Sequence, residues 1–184
     1  MSRTFLFLLG SSRLGGNTET LARLAAEQLP ESVEQRWRHL ADLPLGDFED
    51  LRHEGDGSYP APNGHAATLL DATLAATDLV IASPLYWYSV STATKRYLDH
   101  WSGWMRVPGL DFKARMEGRR LWGVTALADS DRSVADPLVG TLRTTARYMK
   151  MDFGGVLLGN GTRPGDVLED ERARIEAKEF FAGM

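Results

Sequence analysis

The chain has 184 residues, 43% of them hydrophobic and 25% charged, which is the composition of a soluble globular domain and not of a disordered segment. Twenty-one Lys and Arg against twenty-five Asp and Glu give a formal charge of -4 without any dense basic stretch, so nucleic acid is not an expected partner. There is no cysteine, which excludes disulfides, thiolate zinc sites, cysteine-ligated iron–sulfur clusters and a cysteine nucleophile.

Arg3 followed by the apolar run Phe5 to Leu9 imitates a signal peptide, but this run is shorter than the roughly 7–15 residues of a leader's apolar region. No other stretch approaches the ~18 apolar residues of a membrane span. A cytoplasmic protein with no membrane attachment is expected, folded as one domain over residues 1–184. Phe5 to Leu9 is continuously apolar and ends at Gly10, as in a parallel strand buried on both faces. After the turn GSSRLGGN, Leu21, Leu24, Ala25 and Leu29 recur at helical spacing until Pro30 stops the pattern. A strand near Val33 to Leu40, a helix carrying Leu69, Leu70 and Leu74, and a strand from Leu79 to Ser83 come after it. Next are a helix with Thr94, Tyr97, Leu98 and Trp101 on one face and a strand from Leu121 to Leu127. A helix with Ala135, Leu138, Leu142, Ala146 and Met149, a strand near Gly155 to Leu158 and a charged helix from about Glu169 close the chain. Five strands alternating with five helices predict an α/β fold with an open, mostly parallel sheet covered on both faces. Two connections, Ala41 to Asn63 and Trp104 to Gly118, exceed the usual few residues and are candidates for a site lid or a subunit interface.

The first loop reads GSSRLGGNT, Gly10 to Thr18, between a strand and a helix whose N-terminus offers free N–H groups and a favourable dipole to an anion. Glycines permit close approach of the backbone, Ser11, Ser12, Asn17 and Thr18 are short donors, and Arg13 adds positive charge. These are the ingredients of a phosphate site; the plain alternative is a Gly/Ser turn with Asn17 or Thr18 as a helix cap. Gly10 and Gly15 have the spacing of the Walker-A glycines, but Gly16 and Asn17 stand where Lys and Ser/Thr must be. A dinucleotide fingerprint fails at Ser12, where its second glycine is required.

The third strand runs into SPLYWYSVSTATKRYLDH, Ser83 to His100. Pro84 ends strand pairing, so the residues after it leave the sheet at the carboxyl ends of the strands, where open α/β folds bind ligands. Tyr86, Trp87 and Tyr88 cannot all enter one core, so at least one is expected to contact a flat ligand or a partner. Packing beneath a neighbouring loop or in a dimer interface is the plainer reading. The four histidines are too scattered for a helical metal site, and no metal is expected. No G-x-S-x-G elbow supports a hydrolase. Lys95 and Asp99 have the spacing of an i,i+4 ion pair.

These two loops resemble the flavin-binding segments of the flavodoxin-like NAD(P)H-dependent FMN reductase and quinone reductase family. Gly10, Ser11, Arg13, Gly16, Asn17 and Thr18 match the first segment; Ser83, Pro84, Tyr86, Ser89, Lys95 and Asp99 match the second. DLPL from Asp42, Phe112 with Gly118, and GNGTRPGD from Gly159 are weaker matches. Thr94 and His100 depart from the family's usual apolar residue and arginine, and the four-cysteine cluster of its iron–sulfur branch is absent. The resemblance implies a doubly wound five-stranded parallel sheet of order 2-1-3-4-5 with FMN as cofactor. Ser11, Arg13, Gly16, Asn17 and Thr18 would hold its phosphate. Pro84, Leu85, Tyr86, Trp87 and Ser89 would border the ring, and the loop near Ala128, Asp129 and Ser130 would close its other side. Trp87 and Tyr88 would meet the second substrate. The implied activity is hydride transfer from NADPH or NADH to the flavin and onward to a small acceptor such as a quinone, flavin or azo compound, with no catalytic residue of the protein demanded. A flavodoxin-like FMN electron carrier serving a protein partner is the alternative, disfavoured by a charge of only -4. The resemblance also implies a homodimer or homotetramer with the flavin site near a subunit interface.

Overall fold

In the computed structural model, residues 3–182 are described. Five strands, β1 (Thr4–Leu9), β2 (Glu34–His39), β3 (Asp78–Ala82), β4 (Arg120–Leu127) and β5 (Asp152–Asn160), form one sheet of order β2-β1-β3-β4-β5. Every neighbouring pair is parallel, as the resemblance implied. The helices are α1 (Asn17–Ala26), α2 (Gly64–Ala75), α3 (Thr92–Trp104), α4 (Phe112–Met116), α5 (Asp136–Tyr148) and α6 (Glu171–Glu179).

Alternation along the strands divides the core into two layers. Leu6, Leu8, Leu79 and Ile81 face Leu69 of α2, Tyr97 and Trp101 of α3, Phe112 of α4 and Leu138 of α5. Phe5, Phe7, Val80 and Ala82 face Leu21 and Ala25 of α1 and Ala173 and Ala177 of α6. Interior strands β1 and β3 are buried along their whole length, whereas edge strand β2 is mostly polar and pairs Arg36 with Glu34 at 2.7 Å. Charge on an edge strand discourages pairing with another chain. Tyr97, fully buried, shares a 2.6 Å hydrogen bond between hydroxyls with Thr73 of α2, and burial pushes its phenol well above the ordinary range.

Two expectations from the sequence need correction. Trp104 to Gly118 is not one open loop: it contains α4, whose five residues are too few to display a period but which buries Phe112 and Met116 completely. Of the two roles expected for the long segment 41–63, a site lid or a subunit interface, the first does not fit, because the segment lies along α2 and α3. Phe48 stacks on Tyr59, His100 hydrogen-bonds the Gly46 carbonyl at 3.0 Å, and Arg96 pairs with Asp47 at 2.7 Å. Among the described residues, no helix is long and apolar enough to cross a membrane, and no group of side chains is arranged to hold a metal ion.

Candidate functional site

The carboxyl ends of β1, β3, β4 and β5 surround an open cleft of about 310 Å³. Its first wall is the loop from β1 to α1. Gly16 is the cap residue of α1 and has no side chain to offer, so the leading amides of Asn17, Thr18 and Glu19 receive no capping bond. This is not the side-chain cap of an ordinary Gly/Ser turn. Arg13 is exposed and has no carboxylate partner among the described residues. The Ser11 hydroxyl accepts from the Arg13 amide at 3.0 Å, and the Glu19 carboxylate accepts from the Gly15 amide at 2.9 Å while gripping Arg23. Burial opposes the charge of Glu19, but the Gly15 amide and Arg23 outweigh it and hold the carboxyl below its ordinary value.

The glycines act differently from one another. A Cβ on Gly10 would lie 2.0 Å from Thr94 Oγ1, and the Ser91 hydroxyl donates to the Gly10 carbonyl at 2.6 Å. Gly10 thus lets the start of α3 press against the end of β1. Gly15 has open space around it but a φ of +63°, which favours glycine.

The second wall is Pro84, Leu85 and Tyr86. The Leu85 amide donates to the Ala126 carbonyl at 3.3 Å, and then Tyr86 and Ser89 exchange two backbone hydrogen bonds of 3.0 Å. Between them, Trp87 at φ 49° and Tyr88 at φ 64° make a two-residue hairpin with the φ signs of a type I′ turn, which ordinarily selects Asn-Gly. Left-handed conformations in bulky residues cost on the order of 1–3 kcal/mol each. Tyr86, Trp87 and Tyr88 are 49%, 92% and 56% exposed, so none of the three rings enters the core.

The third wall comprises Ala126, Leu127 and Ala128 after β4 and Gly161, Thr162 and Pro164 after β5. The Thr18 hydroxyl accepts from the Ala126 amide at 3.3 Å, joining α1 to this wall. Asn17 joins it as well: its Nδ2 donates to the Arg163 carbonyl at 2.8 Å, and its Oδ1 accepts from Gly165 at 2.9 Å. Asn160 donates to the Asp129 carbonyl and steadies the loop beyond Ala128.

A sequence model of the family described as NADPH-dependent FMN reductase matches residues 4–151, which contain the first two walls and Ala126 to Ala128 of the third. The chain belongs to this family. YwqN of Bacillus subtilis (strain 168), named as a putative NAD(P)H-dependent FMN-containing oxidoreductase, is 32% identical over 173 residues, covering 94% of this chain and 93% of its own. The structure of the Trp repressor binding protein of Bacillus subtilis superposes with a TM-score of 0.75 at 25% identity, covering 96% of this chain and 97% of that one. An FMN-dependent NADH-azoreductase of Bacillus anthracis, solved in complex with FMN, shares the fold with a TM-score of 0.66 at 14% identity over 97% of both chains.

As an FMN reductase, the protein takes FMN as cofactor and NAD(P)H as donor, and the cleft suits a flavin mononucleotide. Uncapped amides and Arg13 could accept an anion, while Pro84, Leu85, Ala126, Leu127 and Ala128 supply apolar surface to the same cleft. Of the residues named from the sequence, Ser11, Ser12, Arg13, Gly16, Asn17, Thr18, Pro84, Leu85, Tyr86 and Ala128 line this cleft together. Trp87, Tyr88, Ser89 and Asp129 stand outside its lining, beside it in sequence. Asn17 and Thr18 commit their side chains to the protein, and their backbone amides receive no side-chain cap. Gly161, Thr162 and Pro164 were not among the named residues; the glycine-rich GNGTRPGD was their only signal in the sequence.

Proposed function

We propose that residues 1–184 act as a single cytoplasmic FMN-dependent NAD(P)H oxidoreductase domain that reduces a small acceptor of the quinone, flavin or azo class. The observation that carries this reading is the uncapped start of α1 beside Arg13, joined in one cleft to the apolar walls at Pro84 to Tyr86 and Ala126 to Ala128. The leading amides of α1 and Arg13 bind the phosphate. Pro84, Leu85 and Tyr86 border one side of the ring, and the backbone near Ala128 and Asp129 borders the other. Trp87 and Tyr88, held outside the cleft by their turn, offer flat faces to the nicotinamide or the acceptor. When bound, FMN takes hydride from the nicotinamide and passes electrons to the acceptor, so the chain's own residues bind and orient and none need move a proton.

The protein assembles as a homodimer or homotetramer across this mouth. Leu14, 74% exposed, and the three aromatic residues of the second loop form the kind of apolar rim that a second copy covers.

Anaerobic mixing of the FMN-loaded protein with NADPH or NADH is expected to bleach the flavin absorbance, and failure with both donors removes the enzyme reading. Arg13→Ala is expected to weaken FMN retention on the order of tenfold. Unchanged affinity, measured by flavin fluorescence, means that the phosphate lies elsewhere. Sedimentation that finds only monomer removes the assembly.

A further inference from the structure

We infer that Arg163, on the loop after β5, is a second cation for the phosphate of FMN, acting opposite Arg13 across the start of α1. The inference rests on the FMN reading above and adds to it a residue outside the stretch that the family's sequence model matches.

The geometry begins with Asn17. Its amide group bonds the Arg163 carbonyl on one side and the amides of Gly165 and, at 3.4 Å, Val167 on the other, so the β5 loop is fastened against the first turn of α1. The approach is close enough that a Cβ on Gly161 would lie 2.6 Å from Asn17 Nδ2. Thr162 and Pro164, the two neighbours of Arg163 in sequence, both line the cleft, while Arg163 itself stands outside the lining on an exposed loop from which its long side chain can reach the anion end. The Asp166 carboxylate accepts from the amides of Thr162 at 3.1 Å and Arg163 at 2.6 Å, which fixes the backbone from which the arginine projects. The guanidinium is exposed and, like that of Arg13, has no carboxylate partner among the described residues.

Charge balance explains why a second arginine belongs there. A phosphate monoester carries about -1.5 to -2 at neutral pH. Against it the helix end supplies roughly half a positive charge and Arg13 one more. Glu19 is already neutralised by Arg23 at 2.7 Å, but Asp166 adds a negative charge close by. Without Arg163, the anion end of the cleft would be short of positive charge in a chain whose formal net charge is already -4. With it, two arginines from loops far apart in sequence would share the phosphate with the uncapped amides.

The test titrates the full chain, freed of flavin, with FMN and separately with riboflavin, following flavin fluorescence at several salt concentrations. Arg163→Ala is expected to weaken FMN binding on the order of tenfold, to leave riboflavin binding unchanged, and to lose part of the salt dependence of the wild type. Arg163→Lys is expected to recover part of the loss. Equal weakening for both flavins would assign Arg163 to the loop's structure, and unchanged FMN affinity would separate it from the phosphate; either overturns the inference. An increase in KM for NADPH but not NADH, with FMN affinity intact, also overturns it and moves the arginine to the dinucleotide's 2′-phosphate. If the wild-type chain binds neither flavin, the FMN reading itself fails, a result distinct from failure of Arg163 alone.

Discussion

At the N-terminal edge of the sheet, Asp78 is 1% exposed and accepts hydrogen bonds from Arg3 at 2.6 and 3.0 Å, from Trp122 Nε1 at 3.0 Å and from the Thr77 hydroxyl at 2.8 Å. Nearby, Arg119 donates to the carbonyls of Leu74 and Ala76 at the end of α2. At the C-terminal edge, α1 starts without a side-chain cap, Arg13 has no carboxylate partner among the described residues, and Trp87 and Tyr88 occupy strained backbone conformations in solvent. One edge is saturated by the chain's own groups; the other leaves donors, charge and aromatic surface for something else to meet. The contrast arises from parallel topology, which gathers all strand starts at one edge and all strand ends, with the turns into helices, at the other.

The most severe way to probe this contrast is at the saturated edge. Asp78→Ala leaves Trp122 Nε1 and Arg3 without their acceptor and is expected to cost about 3–5 kcal/mol in denaturant unfolding, with FMN affinity of the folded protein unchanged. A fall in flavin affinity would couple the two edges and undo the distinction. Gly10→Ala drives a methyl group into Thr94 and is expected to cost up to about 3 kcal/mol, partly recovered when combined with Thr94→Ala; no recovery would mean that packing against Thr94 is not the reason for glycine.

Replacing Trp87 with Asn and Tyr88 with Gly supplies the residues that such a turn prefers. The double variant is expected to be more stable by about 1–2 kcal/mol while losing acceptor reduction, assembly or both. If stability falls, the turn is not strained. The smallest expected effect concerns pH. Glu19 is held below its unfolded value of about 4.3, so its ionised form contributes stability above that pH, and this is lost as pH falls through the lower folded value. Acid unfolding of Glu19→Gln should therefore depend less steeply on pH below about 4.3. Equal slopes would show that the Gly15 and Arg23 contacts contribute nothing.

The alternating pattern of strands and helices was legible because each element displays its own period: Phe5 to Leu9 fills an interior strand, and Leu138, Leu142 and Ala146 fill one face of α5. The five residues of α4 display no such period, and tertiary burial of Phe112 and Met116 is what defines them. Within the site, the loops at Ser11 to Thr18 and Pro84 to Tyr86 could be located because local residue types mark them. The task of Asn17 could not be read in this way. It bonds a carbonyl 146 residues further along the chain, and no local pattern encodes that encounter.

Sequence by itself determined the α/β class, the order in which strands and helices alternate, the absence of thiol chemistry and the two loops that resemble flavin-binding segments. Each depends on residue types or on spacings of a few residues. Tertiary structure decided which groups in those loops remain free: Asn17 and Thr18 turn their side chains inward and leave their amides, while Trp87 and Tyr88 are forced outward by a turn that suits neither. It also brought the β5 loop, with Arg163, to the first turn of α1. These are contacts between distant parts of the chain, and only the assembled sheet places them within hydrogen-bonding distance.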